Sequence, residues 1–323
     1  MEIDGSKLLS VVIPAHNEAL GIRRALEVFR TTLSSCGMEW EIIIVDDGSR
    51  DGTFSCLREV AETDFHIKGI RLSRNFGKEA AILAGLRAAM GDAVVTIDAD
   101  LQHPPSLIPK MIEIWKTGPK VIDAVKRSRE KDSFFARVRA RLFNSLLSKL
   151  GGINLQNSSD FKLMDRQVVD AIAYDLQESQ RFYRGLSDWV GYKHETISFD
   201  VEKRAEGEGK WTVWKLIELA TTAIVSFTSA PLRIVTIMGF ISMLFGFVVA
   251  IEALIGWFQG YAVSGFTTTI VTLLILGSFI MISLGIIGEY IAKIYDEIKS
   301  RPTYLIESTF GIDIESNRQR PSL

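Results

Sequence analysis

Two hydrophobic rhythms divide this chain of 323 residues. In the first part, short apolar runs alternate with stretches of helical spacing. Leu8 to Ile13, Ile42 to Val45, Ile67 to Leu72, Val94 to Ile97 and Val121 to Val125 read as buried strands, too short and too uniformly apolar for surface helices. Between the first two, Ile22, Ala25, Leu26, Phe29 and Leu33 recur at helical period. Between the third and fourth, Ala80, Leu83, Leu86, Ala89 and Met90 do so less regularly. Strand and helix in alternation predict right-handed crossovers and an α/β, Rossmann-like, mainly parallel sheet.

Further along, the alternation gives way to continuous apolar sequence. From Ile234 to Trp257 the only formal charge is Glu252, and from Phe266 to Gly288 there is none. As helices these runs are each about 35 Å long, enough for a hydrocarbon core of about 30 Å. Buried helices of soluble domains are rarely apolar on every face for so long. Arg233 precedes the first run, and Lys293, Lys299 and Arg301 follow the second. By the positive-inside tendency both chain ends face the cytoplasm. Met1 to Lys7 is polar and the next apolar run is only strand-length, unlike a signal peptide. Trp211 to Thr228, with Trp211, Trp214, Lys215 and Glu218, suits a helix in the membrane interface, an ordinary soluble helix being the alternative. The expected organisation is a cytoplasmic catalytic domain over 1–210, an interfacial region over 211–232, a two-helix transmembrane hairpin over 233–292 and a cytoplasmic tail over 293–323.

Composition narrows the partners. A formal charge of −2 supplies no basic field, which argues against nucleic-acid binding. Cys36 and Cys56 fall in predicted helices without metal-ligand spacing and read as reduced, buried thiols.

In parallel sheets ligands bind beyond the carboxyl ends of the strands. Four polar clusters fall there: Pro14 to Glu18, Asp46 to Ser49, Ser73 to Lys78 and Asp98 to His103. The first strand runs into IPAHNEALG rather than a G-x-G-x-x-G turn, against a dinucleotide site. Asn17 and Glu18 can cap the next helix. Asp47 can be a turn residue or can accept a hydrogen bond from a pyrimidine N–H. Asn75 to Lys78 opens a helix whose amides and lysine suit phosphate oxygens. In an extended segment Asp98 and Asp100 point to one side, as a Mg²⁺ or Mn²⁺ ion would require, and Gln102 can add an amide oxygen. A D-x-D also occurs in phosphatases with an aspartyl nucleophile, but there it sits on the first strand and continues with Thr or Val where this chain has Gln102.

VVIPAHNE, IIIVDDGSRDGT, LSRNFGKEAA and TIDADLQHPP, in this order and spacing, resemble glycosyltransferase family 2 enzymes of the GT-A fold. More narrowly they resemble the dolichyl-phosphate mannose synthase group and, with two C-terminal spans, bacterial polyprenyl-phosphate (bactoprenol) glucosyltransferases. The resemblance covers residues 8 to 300 and implies that Pro14, Ala15, Asn17, Glu18 and Asp47 cradle a nucleoside, with Lys78 at its base or phosphate side. It implies that Asp98, Ala99, Asp100 and Gln102 gather a divalent cation, Mg²⁺ or Mn²⁺, and the diphosphate. Arg127, Arg141 and Ser145 match residues that hold the acceptor phosphate, Arg204 and Lys210 match basic residues that close over the donor, and Asp160 matches an acidic residue near the sugar. Asp160 can equally begin a turn or strand. QRFYRG over 180–185 resembles the Q-x-x-R-W segment of processive synthases only in part, which argues against polysaccharide synthesis.

The implied reaction is inverting transfer of glucose from UDP-glucose to a polyprenyl phosphate at the inner face of a bacterial plasma membrane. The alternatives are another sugar (N-acetylglucosamine, mannose, an aminoarabinose derivative) or a non-catalytic sensor of nucleotide sugars. The implied partners are the lipid bilayer, further copies of the chain (a homo-oligomer, with a tetramer among its forms), a flippase and a downstream periplasmic glycosyltransferase.

Overall fold

The computed structural model describes residues 7–126, 159–178, 181–199, 229–260 and 265–312. Arg127, Arg141, Ser145, Arg204, Lys210 and the expected interfacial helix up to 228 lie outside the described residues. The chain divides into two units: Met1–Trp211 with Arg301–Leu323, and Thr212–Ser300.

In the first unit the elements run β1 (Leu8–Ala15), α1 (Ile22–Ser34), β2 (Glu39–Asp46), α2 (Thr53–Ala61), β3 (Ile67–Leu72), α3 (Lys78–Ala88), β4 (Ala93–Thr96), α4 (Ile108–Lys116) and β5 (Val121–Lys126). Then come β6 (Lys162–Asp165), α5 (Arg166–Asp170), α6 (Tyr183–Trp189), β7 (His194–Phe199) and β8 (Ile306–Phe310). They form one sheet in the order β7-β5-β6-β4-β1-β2-β3-β8. β1 pairs in parallel with β2 and β4, β2 with β3, and β5 with β7. β6 is antiparallel to both β4 and β5, and β8 is antiparallel to β3. All five expected strands are present, and the sheet is mainly parallel.

Strand alternation feeds two cores. Leu9, Val11 and Ile13 of β1, with Ile42 and Ile44 of β2, face α1, α2 and α4. Val12, Ile43 and Val45 face α3 and α5. On α1 the buried residues are Ile22, Ala25, Leu26, Phe29 and Leu33, the predicted stripe. α3 differs: Ala80 to Leu86 and Ala88 are all buried, so the helix has no polar face to create a clean period. Met90 falls past its end and is exposed, which corrects its place on that stripe. Cys36 likewise lies beyond α1, and both cysteines are free and half-buried rather than buried. A β-carbon on Gly85 of α3 would stand 2.2 Å from Val12 Cγ1, so helix and sheet approach as only glycine allows.

β8 follows the second apolar helix in sequence yet completes the sheet edge. It is tied to β3 by the Ser73 N–H to Leu305 carbonyl bond (2.9 Å) and by Arg71 Nε to Glu307 Oε2 at 3.0 Å. In the second unit, α7 (Ala230–Phe258) and α8 (Phe266–Ile298) pack against one another. Within them, Pro231–Phe258 and Thr269–Ile298 are long and apolar enough to cross a membrane, and neither is covered by protein. The helix around the second apolar run extends past the expected Gly288 to Ile298, so its last turns carry Glu289, Lys293, Asp296 and Glu297.

The contact at Gly85 yields a test. Gly85→Ala should lower the thermal unfolding midpoint of the detergent-solubilised protein, by an overpacking cost of about 1–3 kcal/mol. Val12→Ala in the same chain should recover part of it, and additive losses would show that this approach is not the constraint.

Candidate active site

The polar clusters meet at one edge because β1 to β4 all point their carboxyl ends there. β6 joins them by running the other way: its register pairs Thr96 of β4 with Lys162, so Asp160 arrives at the same edge by its amino end. At the centre, Lys78 Nζ lies 2.6 Å from Asp98 Oδ1 and 2.9 Å from Asp160 Oδ2. Arg184 of α6 grips Asp160 in a fork, with Nε donating to Oδ1 at 2.7 Å and Nη2 to Oδ2 at 2.8 Å. Four charges therefore alternate across the sheet edge, Asp98, Lys78, Asp160 and Arg184. Burial opposes ionisation of Asp160, but the Arg184 fork and then Lys78 outweigh it and hold the carboxyl well below the usual range. Burial also works against the Lys78 charge, and Asp160 and Asp98 reverse it to raise the pKa.

β4 ends at Thr96, so the D-x-D is not extended as expected. Ala99 and Asp100 lie in a turn, Leu101 has φ +55°, and Asp100 Oδ1 accepts the Gln102 N–H at 3.0 Å. The carboxylates nevertheless share a neighbourhood with Glu18, whose pKa is raised first by burial and then by repulsion from Asp100, Asp51 and Asp98. Ala99 is buried, whereas Asp100 and Gln102 are exposed. His103 rests among Phe161 and Phe199, each with ring centroids 5.6 Å away. Its Nδ1 is buried without a hydrogen-bond partner, 3.8 Å from Asp98 Oδ2. Burial lowers its pKa, against the pull of Asp98 and Asp100.

Asp47 has a different immediate task from base recognition. Its Oδ1 accepts the Phe76 N–H at 2.7 Å and its Oδ2 the Gly77 N–H at 2.9 Å. The α3 entry amides expected to meet phosphate are therefore turned toward a carboxylate of the protein. Gly48 makes this possible: it has φ +65°, and a β-carbon there would lie 2.4 Å from the Arg74 carbonyl carbon. Asn17 and Glu18 do not cap α1 with their side chains. Asn17 has φ +56°, donates its N–H to Ser49 Oγ at 2.9 Å and accepts from the Arg50 N–H, while the Glu18 carbonyl accepts from Ile22. These bonds bind the β1 loop to the β2 loop and leave Pro14 half-buried and Ala15 buried beneath them.

Three supporting features have no clear sequence signal. Thr96 Oγ1 donates to the Asp160 carbonyl at 2.7 Å and meets Tyr183 Oη at 2.9 Å. Lys162, fully buried, pairs with Asp123 at 3.3 Å and donates to Ser187 Oγ. Glu79 accepts the Tyr183 N–H at 2.9 Å, and burial pushes its carboxyl up to about 7, moderated by that bond. Arg184 did have a clue: it lies in QRFYRG over 180–185, a segment whose match to a known motif is only partial.

The sheet, the strand-end carboxylates and residues 10–173, which match the Glycosyl transferase family 2 model, assign the chain to a class. It belongs to glycosyltransferase family 2 and is a glycosyltransferase of the GT-A fold. Among its relatives, an uncharacterized glycosyltransferase of Synechocystis is 39% identical over 94% of this chain and 96% of its own. The bactoprenol glucosyl transferase of Shigella phage SfX is 37% identical over 93% of this chain and 99% of its own. The solved glucosyl-3-phosphoglycerate synthase of Mycobacterium tuberculosis, 21% identical, covers 68% of this chain and 78% of its own with a TM-score of 0.46.

Glu79 gives a pH test. Its folded pKa of about 7 lies above the ordinary 4.5, so its contribution to stability is full below pH 4.5 and is lost as pH rises toward 7. Glu79→Gln keeps an acceptor for Tyr183 without the charge. Unfolding midpoints taken from pH 4.5 to 8 should fall less steeply in the variant, which above pH 7 gains on the order of 3 kcal/mol relative to wild type. Parallel curves would assign the pH dependence elsewhere.

Proposed function

We propose that the protein transfers glucose from UDP-glucose to a polyprenyl monophosphate, with inversion, at the cytoplasmic face of a bacterial plasma membrane. The observation that carries this reading is the convergence of Asp98, Asp100, Glu18 and the Lys78–Asp160–Arg184 cluster at one sheet edge, on a chain with two membrane-length helices. Relatives over nearly the whole length named bactoprenol glucosyl transferase support the acceptor class and the sugar.

The donor set fits a divalent cation. Among the described residues no three His, Cys, Asp or Glu side chains converge as a ready-made cage. A hard cation with a nucleotide commonly takes only one or two carboxylates and fills its shell with phosphate oxygens and water. Asp98 and Asp100 supply such oxygens, and both repel the Glu18 carboxyl, whose pKa is raised by burial first and by that repulsion second. When bound, Mg²⁺ or Mn²⁺ would act as a Lewis acid toward the diphosphate.

The rest of the chemistry belongs to the chain and its substrates. A phosphate monoester has a second pKa near 6, so the acceptor oxygen is already nucleophilic at neutral pH. It attacks the anomeric carbon, the bond from that carbon to the UDP oxygen breaks, and UDP leaves with the electron pair. No general base is required, in keeping with Asp160 held as a firm anion and His103 burdened by burial. Asp160 orients a sugar hydroxyl as an acceptor. The loops of Pro14 to Glu18 and Asp47 frame the nucleoside. Arg127, Arg141 and Ser145 receive the lipid phosphate, for which the two-oxygen arginine fork is suited. Arg204 and Lys210 close over the diphosphate, and the two apolar helices keep the domain where its lipid acceptor lies.

A panel of radiolabelled nucleotide sugars, offered with polyprenyl phosphate to the purified protein in Mg²⁺, tests this reading. UDP-glucose should label the lipid fraction most strongly, and Asp100→Asn should cut turnover by about 100-fold or more, the scale of removing one stabilising group from a developing anion. Arg127→Ala and Arg141→Ala should raise the apparent KM for lipid phosphate and leave that for UDP-glucose unchanged. Sugar nucleotide binding without any UDP release would identify a sensor instead.

A further inference from the structure

We propose that Arg184 is a positioning residue for the transfer: its fork fixes the Asp160 carboxylate as the acceptor for a donor-sugar hydroxyl, and thereby sets how strongly the site distinguishes a sugar nucleotide from the bare nucleotide. This rests on the reading of the protein as a UDP-sugar transferase.

Apart from Arg184, two side chains hold Asp160 among the described residues, Thr96 and Lys78. Asp160 lies two residues before β6 begins, outside the strand ladder, and its carbonyl accepts from Thr96 Oγ1 at 2.7 Å. Lys78 reaches Oδ2 alone and is shared with Asp98 at 2.6 Å. An ammonium is a point charge with no preferred plane, so Lys78 leaves the carboxylate free to turn about its own bond. The guanidinium fork engages both oxygens at 2.7 and 2.8 Å and removes that rotation. With both oxygens occupied on the Arg184 side, their remaining lone pairs are set in a fixed direction.

Arg184 is itself placed by buried structure. Its carbonyl accepts from Ser187 Oγ at 3.0 Å, and Ser187 Oγ in turn accepts from the buried Lys162. The N–H of the preceding Tyr183 is anchored on Glu79, and the Tyr183 hydroxyl meets Thr96. The fork is thus fastened to β4, β6 and α3 at once. The ionised state follows from the same contacts: the Asp160 carboxyl is held well below its ordinary range, so it accepts hydrogen bonds and does not take up protons near neutrality.

The test compares UDP with UDP-glucose. Calorimetric titration of the full-length, detergent-solubilised protein in Mg²⁺ with each ligand separates nucleotide contacts from sugar contacts. Arg184→Ala should leave UDP affinity within about twofold and weaken UDP-glucose by roughly tenfold or more, the loss of a hydrogen bond to a charged group. Arg184→Lys should recover only part, because it restores charge without the fork. Transfer by Arg184→Ala should also fall off at a higher pH on the acid side than wild type, since the released carboxyl protonates more readily. Equal losses for UDP and UDP-glucose, or no loss for either, would overturn the positioning role. Wild-type protein that binds UDP but gains nothing from the glucose would overturn the donor reading itself, and that result is visible before any variant is made.

Discussion

A buried ion pair between adjacent strands holds the active-site half of this sheet together. Lys162 of β6 sits directly opposite Asp123 of β5 and opposite Thr96 of β4, and its ammonium is fully shielded from water. Asp123 also accepts from His194 Nδ1 at 3.0 Å at the start of β7, and the burial that opposes its charge is outweighed by His194 and Lys162. A buried pair of this kind is a poor source of net stability, since desolvation offsets much of its attraction. Removing one partner is a different matter: it strands a charge, at about 3–5 kcal/mol. The pair therefore specifies rather than strengthens. It is made in the register that lays β6 reversed between two strands, and that register delivers Asp160 to the edge where Asp98 and Lys78 lie.

The same pair explains what the sequence withheld. β1 to β5 were legible because each is a run of apolar residues bounded by polar turns, and α1 because its stripe faces one core only. β6 is four residues, KLMD, with a charge at either end and no alternation, so nothing local marks it as a central strand. Its lysine is inside because of partners on β5 and α6, which no local window contains. β7 is half exposed, and β8 comes after two membrane-length helices, so its pairing with β3 is a fact of tertiary structure alone.

At the site, residue types were more legible than their tasks. The acidic character of Asp98 and Asp100 was readable, but not the turn that carries them, because Leu101 adopts φ +55° without being a glycine. Asp47 and the amides of Phe76 and Gly77 each looked suited to a ligand, and they bond one another. Complementary groups at neighbouring strand ends pair when the loops are short enough to meet, and Gly48 lets them meet. On the proposed reading, a donor pocket framed this way is tied together by the chain's own hydrogen bonds before any ligand arrives, which favours positioning over reshaping.

Charge balance across the sheet edge ties these observations to the proposed chemistry. Asp98, Lys78, Asp160 and Arg184 form a neutral chain in which every carboxylate has a cationic partner. Glu18 and Asp100 stand outside it, and the Glu18 carboxyl is pushed up first by burial and then by repulsion from Asp100, Asp51 and Asp98. A bare nucleoside diphosphate would be repelled there; the same diphosphate arriving with a divalent cation would not. On the proposed reading the Asp160–Arg184 end of the paired chain faces the uncharged sugar, where hydrogen-bond direction matters, and its Asp98 end, with Asp100, faces the cation that accompanies the leaving diphosphate. Separating the two tasks lets Asp160 remain a fixed acceptor while charge develops on the departing UDP a few atoms away.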